Sequence, residues 1–185
     1  MSFISIRKNF CYYYNENPVK HAMMDANCQH GGKIVRVIAI DSTQTQLPTL
    51  FKNVFQQLQA ADIVTRDLTA ALLEREDNLP TGVATKPLGK KIPNLALPHL
   101  IDPAVKEPVL VVIRPAQPLF FANMLAPAKQ IRVELILLLL DSSPARQAET
   151  LSRLLDWLVK TPGPQLRNYL EHPDAAETTA LAKQL

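Results

Sequence analysis

From residue 33 onward, apolar and polar positions fall into regular patterns; upstream of it they do not. "KIVRVIAI" (33–40) is rich in β-branched residues and predicts a first strand. Leu50, Val54, Phe55 and Leu58 then recur at helical spacing, which predicts a helix over 48–61. A second helix is expected in "TRDLTAALLERE", with Thr65 as N-cap and Leu68, Ala71 and Leu72 on one face. It should stop where Asn78, Pro80 and Gly82 cluster as turn residues.

A polar loop then leads into a short strand, "NLALPH", that stops at Pro98 and His99. "PVLVVIR" (108–114) predicts another strand, and "PLFFANM" a strand or turn edge. "IRVELILLLL" (131–140) reads as one central strand buried on both faces. "SPARQAETLSRLLDWLVK" predicts a long amphipathic helix, capped by Ser143, with Pro144 at its first position. Its expected buried stripe is Leu151, Leu154, Leu155 and Leu158. Two shorter helical segments should follow, separated by Pro173. Strands alternating with helices indicate an α/β sandwich, and no internal repeat is visible.

The domain is expected to span 33–185, behind a poorly ordered extension over 1–32 that ends in a glycine pair. Met23 and Met24 lie just before the domain, which suggests a natural start there; an intact mass matching Met1 would refute it.

Composition narrows the function classes. The formal net charge is +3 and the basic residues are spread along the chain, so nothing argues for nucleic acid. The two cysteines, Cys11 and Cys28, both precede the domain, which argues against a secreted disulfide scaffold and for a cytoplasmic protein. The longest apolar run, Leu135 to Leu140, is far below the roughly 20 residues of a membrane-spanning helix. No signal-peptide pattern opens the chain, so no direct membrane insertion is expected.

The common nucleotide-binding, zinc-protease and serine-hydrolase motifs are absent. With five glycines in 185 residues there is little material for a phosphate-binding loop. Chemistry must therefore rest on a few side chains. Cys11, His21, Cys28 and His30 match no tight metal knuckle, and no metal site is expected there. His172, before Pro173, suits a helix C-terminus, where a cation complements the dipole. His99 differs. A histidine at the end of a buried strand can be held rigid, give one ring N–H to a backbone carbonyl and expose the other nitrogen as a nucleophile. Taken alone, such a histidine is more often structural than chemical.

The ordered set of motifs around it is more informative. Arg75-Glu76, Pro80-Thr81-Gly82 and Pro98-His99 follow one another, with "EPVLVVIRPAQPLFFANM" and "VELILLLLDSS" downstream. This order, over about residues 35–185, resembles the type 2 EIIA domains of the bacterial sugar phosphotransferase system, and Pro-Thr-Gly with "PLFFANM" looks closest to the galactitol-type branch. The resemblance implies a mixed, mainly parallel sheet of about five strands flanked by helices. It makes His99 a phosphoacceptor through its tele nitrogen, charged by the small phosphocarrier protein HPr. The group would pass to a cysteine on an EIIB partner and, indirectly, to sugar at the membrane component EIIC.

Arg75 would supply charge to the phosphoryl group through its planar fork of donors, and Thr81 a neutral hydrogen bond. The plainer readings are a surface ion pair for Arg75 and a cap or turn bond for Thr81. Many members of the family carry a second histidine near the start of the long helix; here that position falls at or near Gln147, which can donate a hydrogen bond but carries no charge. Lys90 and Lys91 either raise the local positive potential or belong to a solvated loop, the latter being favoured. No cofactor and no metal are implied. Besides a polyol carrier, the sequence leaves open a regulatory module with little onward transfer, and a degenerate structural domain.

Overall fold

The computed structural model describes residues 35–86, 92–165 and 167, together with the backbone course of three short strands near the N-terminus. Those are β1 (Ile4–Arg7), β2 (Phe10–Tyr13) and β3 (Met23–Ala26). They pair antiparallel in turn, and β3 pairs with β4 (Arg36–Ser42). At four residues each they are too short for alternation to reveal them. The remaining strands are β5 (Gly82–Val83), β6 (Leu95–Ala96), β7 (His99–Ile101), β8 (Val109–Pro115), β9 (Leu119–Asn123), β10 (Ala126–Val133) and β11 (Leu135–Asp141). The helices are α1 (Leu47–Ala60), α2 (Thr69–Asn78) and α3 (Pro144–Lys160).

The strands form one mixed sheet, ordered β1-β2-β3-β4-β8-β11-β6-β5-β9-β10, with β7 also paired to β11. The expectation of about five, mainly parallel strands holds only for its centre. β4 runs parallel to β8, and β11 runs parallel to β6 and β7, but β8 and β11 are antiparallel. The N-terminal strands and the β9–β10 pair add further antiparallel pairings at the two ends.

Alternation along the central strands divides the core into two layers. Val109, Val111, Ile113, Ile136, Leu138 and Leu140 face α1 and α2, where they meet Leu50, Phe51, Val54, Phe55, Leu58 and Leu72. Leu110, Val112, Leu135, Leu137 and Leu139 face the other way, against Leu154 and Leu158 of α3. Each such side chain contributes about 1.5–3 kcal/mol on full burial, so β11, buried along its whole length, anchors the sheet.

Local chemistry accounts for the helix ends. Pro48 enters the first turn of α1, where its missing N–H costs nothing. At the other end Asp62 adopts φ 59°, Asp62 N–H donates to Gln59 and Ile63 N–H to Leu58, a left-handed stop that seats Ile63 against Leu58 in the core. Ser143 caps α3 by accepting from the Arg146 N–H at 3.4 Å, as expected, with Pro144 at the first position.

Three expectations need correction. Thr65 does not cap α2: its N–H donates to Ala104 beside the Val64–Val105 bridge, and the helix begins only at Thr69, where Asp67 accepts from the Thr69 N–H. The apolar run over 131–140 is two strands, broken at Glu134, whose N–H is taken by the Asn94 carbonyl. In α3 the buried face is Gln147, Thr150, Leu154 and Leu158, whereas Leu155 is 43% exposed. The polar members of that face hid it from a reading based on leucines alone. The first of the helical segments expected on either side of Pro173 opens as a helix over 163–165 and at Arg167; the rest of it, His172 and the second segment lie outside the described residues.

Candidate functional site

The site is built where α2 ends and β7 begins. Arg75 lies in the last turn of α2; its carbonyl accepts from the Leu79 N–H at 2.9 Å, and its guanidinium donates back to the Leu79 carbonyl. A cation here also complements the helix dipole. The other guanidinium nitrogen reaches His99 Nε2 at 2.6 Å.

His99 stands where the strand resumes rather than where it stops. Leu95 and Ala96 pair with Leu135 and Ile136; after Leu97 and Pro98 the same register continues, His99 opposite Leu139 and Leu100 opposite Leu140. Pro98 has no N–H to give, yet its carbonyl still accepts from Leu139 at 3.0 Å. The Leu97 carbonyl is left to accept from His99 Nδ1 at 2.8 Å.

These two partners decide the tautomer. A backbone carbonyl only accepts and a guanidinium only donates. Nδ1 therefore carries the hydrogen and Nε2 presents its lone pair, a neutral imidazole ready to act as a nucleophile. Burial lowers the His99 pKa from its ordinary 6.5, the Leu97 carbonyl opposes this, and the Arg75 charge lowers it further. Both the geometry and the electrostatics favour the neutral ring.

Thr81 is tied to the same residues through the backbone. Its carbonyl accepts from the Leu97 N–H at 3.2 Å, and its own N–H donates to Glu76 Oε2 at 3.3 Å. Its hydroxyl is buried and has no hydrogen-bond partner at ordinary geometry among the described residues. Gly82, next in sequence, pairs with Ala96 on one side and Asn123 on the other. A Cβ at Gly82 would stand 2.6 Å from the Ala122 carbonyl oxygen, so only glycine lets β5 settle against β9.

Gln147, 4% exposed, reaches the site from α3 but not through the imidazole. Its side-chain nitrogen donates to the Leu100 carbonyl at 2.8 Å and approaches the Leu139 carbonyl at 3.5 Å. It thereby pins the first turn of α3 to the residue after His99. Nearby, the fully buried Asp141 accepts from both sides of the Arg146 guanidinium and from the Ser143 N–H. Lys90 and Lys91 lie outside the described residues, as do the side chains of Cys11, His21, Cys28 and His30.

Over residues 35–168 the chain matches the family model of the phosphoenolpyruvate-dependent sugar phosphotransferase system, EIIA 2. The chain belongs to this EIIA type 2 family.

Solved structures agree on the fold of this EIIA domain. The nitrogen regulatory protein IIA-Ntr from Neisseria meningitidis is 24% identical, with a TM-score of 0.54 over 79% of this chain and 92% of that one. The PTS IIA(PtxA) from Streptococcus mutans is 15% identical, with a TM-score of 0.52 over 82% and 87% of the two chains. Comparison with curated proteins gives no match. Among the described residues of the EIIA domain no cluster of histidine, cysteine or carboxylate side chains is arranged for a metal ion, and no helix is long and apolar enough to cross a membrane.

Several contributors were not legible in the sequence: the Leu97 carbonyl that sets the tautomer, and Glu76, which holds the Thr81 turn. Asn94 is a third. Its side chain accepts from the Thr85 N–H at 3.2 Å and donates to the Arg132 carbonyl at 3.0 Å, clamping the entrance to β6. The first and last need tertiary neighbours to be recognised at all; the RE pair was the one available signal for Glu76.

Proposed function

We propose that the protein is a phosphoryl carrier of the sugar phosphotransferase system, with His99 Nε2 as the acceptor. It takes the group from phospho-HPr and gives it to a cysteine of an EIIB partner, which serves the membrane component EIIC. The observation that carries this reading is the pair of hydrogen bonds fixing His99 as the Nδ1–H tautomer under an arginine.

The Nε2 lone pair attacks phosphorus, an N–P bond forms, and the donor's P–N bond breaks with its electron pair returning to the donor ring. Nδ1 keeps its hydrogen on the Leu97 carbonyl, so no base is required. Transfer through a loose, metaphosphate-like state depends on in-line placement and charge stabilisation, and those are the contributions available here. The Arg75 nitrogen on Nε2 must move aside as the group arrives, and a phosphoryl oxygen is then its nearest acceptor. The Thr81 hydroxyl supplies a neutral donor.

The resemblance of Pro80-Thr81-Gly82 and "PLFFANM" to the galactitol-type branch supports galactitol or a related polyol as the sugar served. One observation favours a second reading, a regulatory module whose phosphorylation state controls a partner with little onward transfer. Gln147 is uncharged and committed to backbone carbonyls; a fold likeness to a nitrogen regulatory IIA protein is compatible with it.

The test is labelling from phosphoenolpyruvate through enzyme I and HPr. His99→Ala should abolish it, and unchanged labelling would refute the assignment. Onward transfer to candidate EIIB proteins separates the two readings.

A further inference from the structure

Successive residues on a helix point about 100° apart. With Arg75 turned to His99, Glu76 turns inward and is 8% exposed. One carboxylate oxygen, Oε2, accepts from the Thr81 N–H. Among the described residues the other, Oε1, and the Thr81 hydroxyl oxygen are both buried and meet no partner at ordinary hydrogen-bond geometry, although the hydroxyl still favours the carboxylate ion. Two buried polar atoms without partners are costly, and because the same carboxylate already holds the Thr81 N–H, a single hydrogen between Oε1 and the hydroxyl oxygen would satisfy both.

That hydrogen can come from either side. If Glu76 is ionised, the Thr81 O–H must donate to Oε1 and has nothing left for the site. If Glu76 is protonated, its own O–H donates to the Thr81 oxygen, and the hydroxyl hydrogen is free to turn outward.

We infer that Glu76 and Thr81 form a proton-linked donor switch for phosphorylated His99. Arrival of the phosphoryl group draws one proton from bulk water onto Glu76 Oε1. The protonated carboxyl donates to Thr81 Oγ1, and the Thr81 hydroxyl hydrogen rotates, without leaving its oxygen, onto a phosphoryl oxygen. When the group departs, Glu76 returns the proton to water. Glu76 is thus a positioning residue that acts through Thr81. This inference rests on the carrier reading of His99.

The surroundings are arranged for such a switch. Burial raises the Glu76 pKa from its ordinary 4.5; the Thr81 hydroxyl and N–H and the Arg75 charge pull it down, and Asp77 pushes it up. Of the elements around it, β5, β6 and β9 contain no charged residue, and the one charge of α1, Lys52, is exposed. From β7, His99 meets the Arg75 guanidinium at 2.6 Å. New negative charge on His99 competes for Arg75 and disfavours a second anion beside it.

The experiment uses the full chain, carrying 13C-labelled glutamate, phosphorylated with phosphoramidate as a small-molecule donor. A 31P phosphohistidine signal that is missing in His99→Ala establishes the carrier chemistry; without it that reading fails, not merely the switch. The Glu76 carboxyl resonance, identified by its loss in Glu76→Gln, is then titrated before and after phosphorylation. Its midpoint should move upward, the shift should be at least halved in Thr81→Val, and Thr81→Ser should retain it. An unmoved midpoint, or an equal shift in Thr81→Val, overturns the switch. Thr81→Ala replaces the valine variant if that one does not fold.

Discussion

One guanidinium nitrogen of Arg75 lies 2.6 Å from Nε2 of His99, directly on the lone pair that the site would offer to phosphorus. The arginine therefore both holds the ring neutral and covers its nucleophile. Burial is the main reason the imidazole pKa is low and the Arg75 charge adds to it, so in Arg75→Ala the His99 midpoint in an NMR titration should rise part of the way towards the ordinary 6.5. Phosphorylation of the same variant should slow about a hundredfold, the usual cost of removing one charge-stabilising donor. A midpoint that stays put would show that burial alone sets the titration.

Acid should weaken the fold through His99. Its folded pKa lies below the 6.5 of the unfolded chain, so its stabilising contribution is complete above 6.5. As pH falls through 6.5 the unfolded chain takes up the proton first, and the contribution is lost on the way down to the folded pKa. Urea midpoints measured through this range should decline less steeply in His99→Gln than in the parent protein. Parallel curves for the two would remove His99 from the pH response.

Gly82→Ala places a methyl 2.6 Å from the Ala122 carbonyl and 3.1 Å from the Phe121 Cβ, against backbone that cannot yield easily. A loss of about 1–3 kcal/mol in chemical denaturation is expected, the range typical of overpacking. Relief of that clash would push β5 away from β9 and take the adjoining Thr81 with it, so phosphorylation should fall as well.

Gln147→Leu should lose about 1–3 kcal/mol, because the Leu100 carbonyl is left without its side-chain donor. Gln147→His is the more informative change. If the imidazole can take the same hydrogen bond, stability recovers while onward transfer to an EIIB protein rises. Recovery of stability with transfer unchanged would show that this position serves packing alone.

Most helices and strands from residue 35 onward were legible because they rest on local patterns. Val54 and Phe55 mark a helix by spacing, and Ser143-Pro144 mark its successor by cap chemistry. What failed depended on partners distant in sequence. Thr65 has the right chemistry for a cap, but its N–H is taken by Ala104, thirty-nine positions away, and no local rule anticipates that. Glu134 breaks an apolar run that periodicity alone reads as continuous, because Asn94 claims its N–H. By residue type Leu155 belongs in the core, whereas Gln147 and Thr150 occupy the buried face. At the site, sequence supplied His99, Arg75 and Thr81 as candidates, but not the Leu97 carbonyl, since backbone acceptors carry no signature.

The interruption at Leu97–Pro98 leaves the strand on either side in step with β11, Leu95 opposite Leu135 and His99 opposite Leu139. Side-chain direction alternates with every residue, so a one-residue deletion between the two halves would turn the imidazole to the opposite face. Added length before Asn94, outside that phased stretch, need not do so. The aim of the histidine is in effect stored in the most deeply buried strand of the protein, which leaves the segment ahead of Asn94 free to diverge in length while the chemistry stays in place.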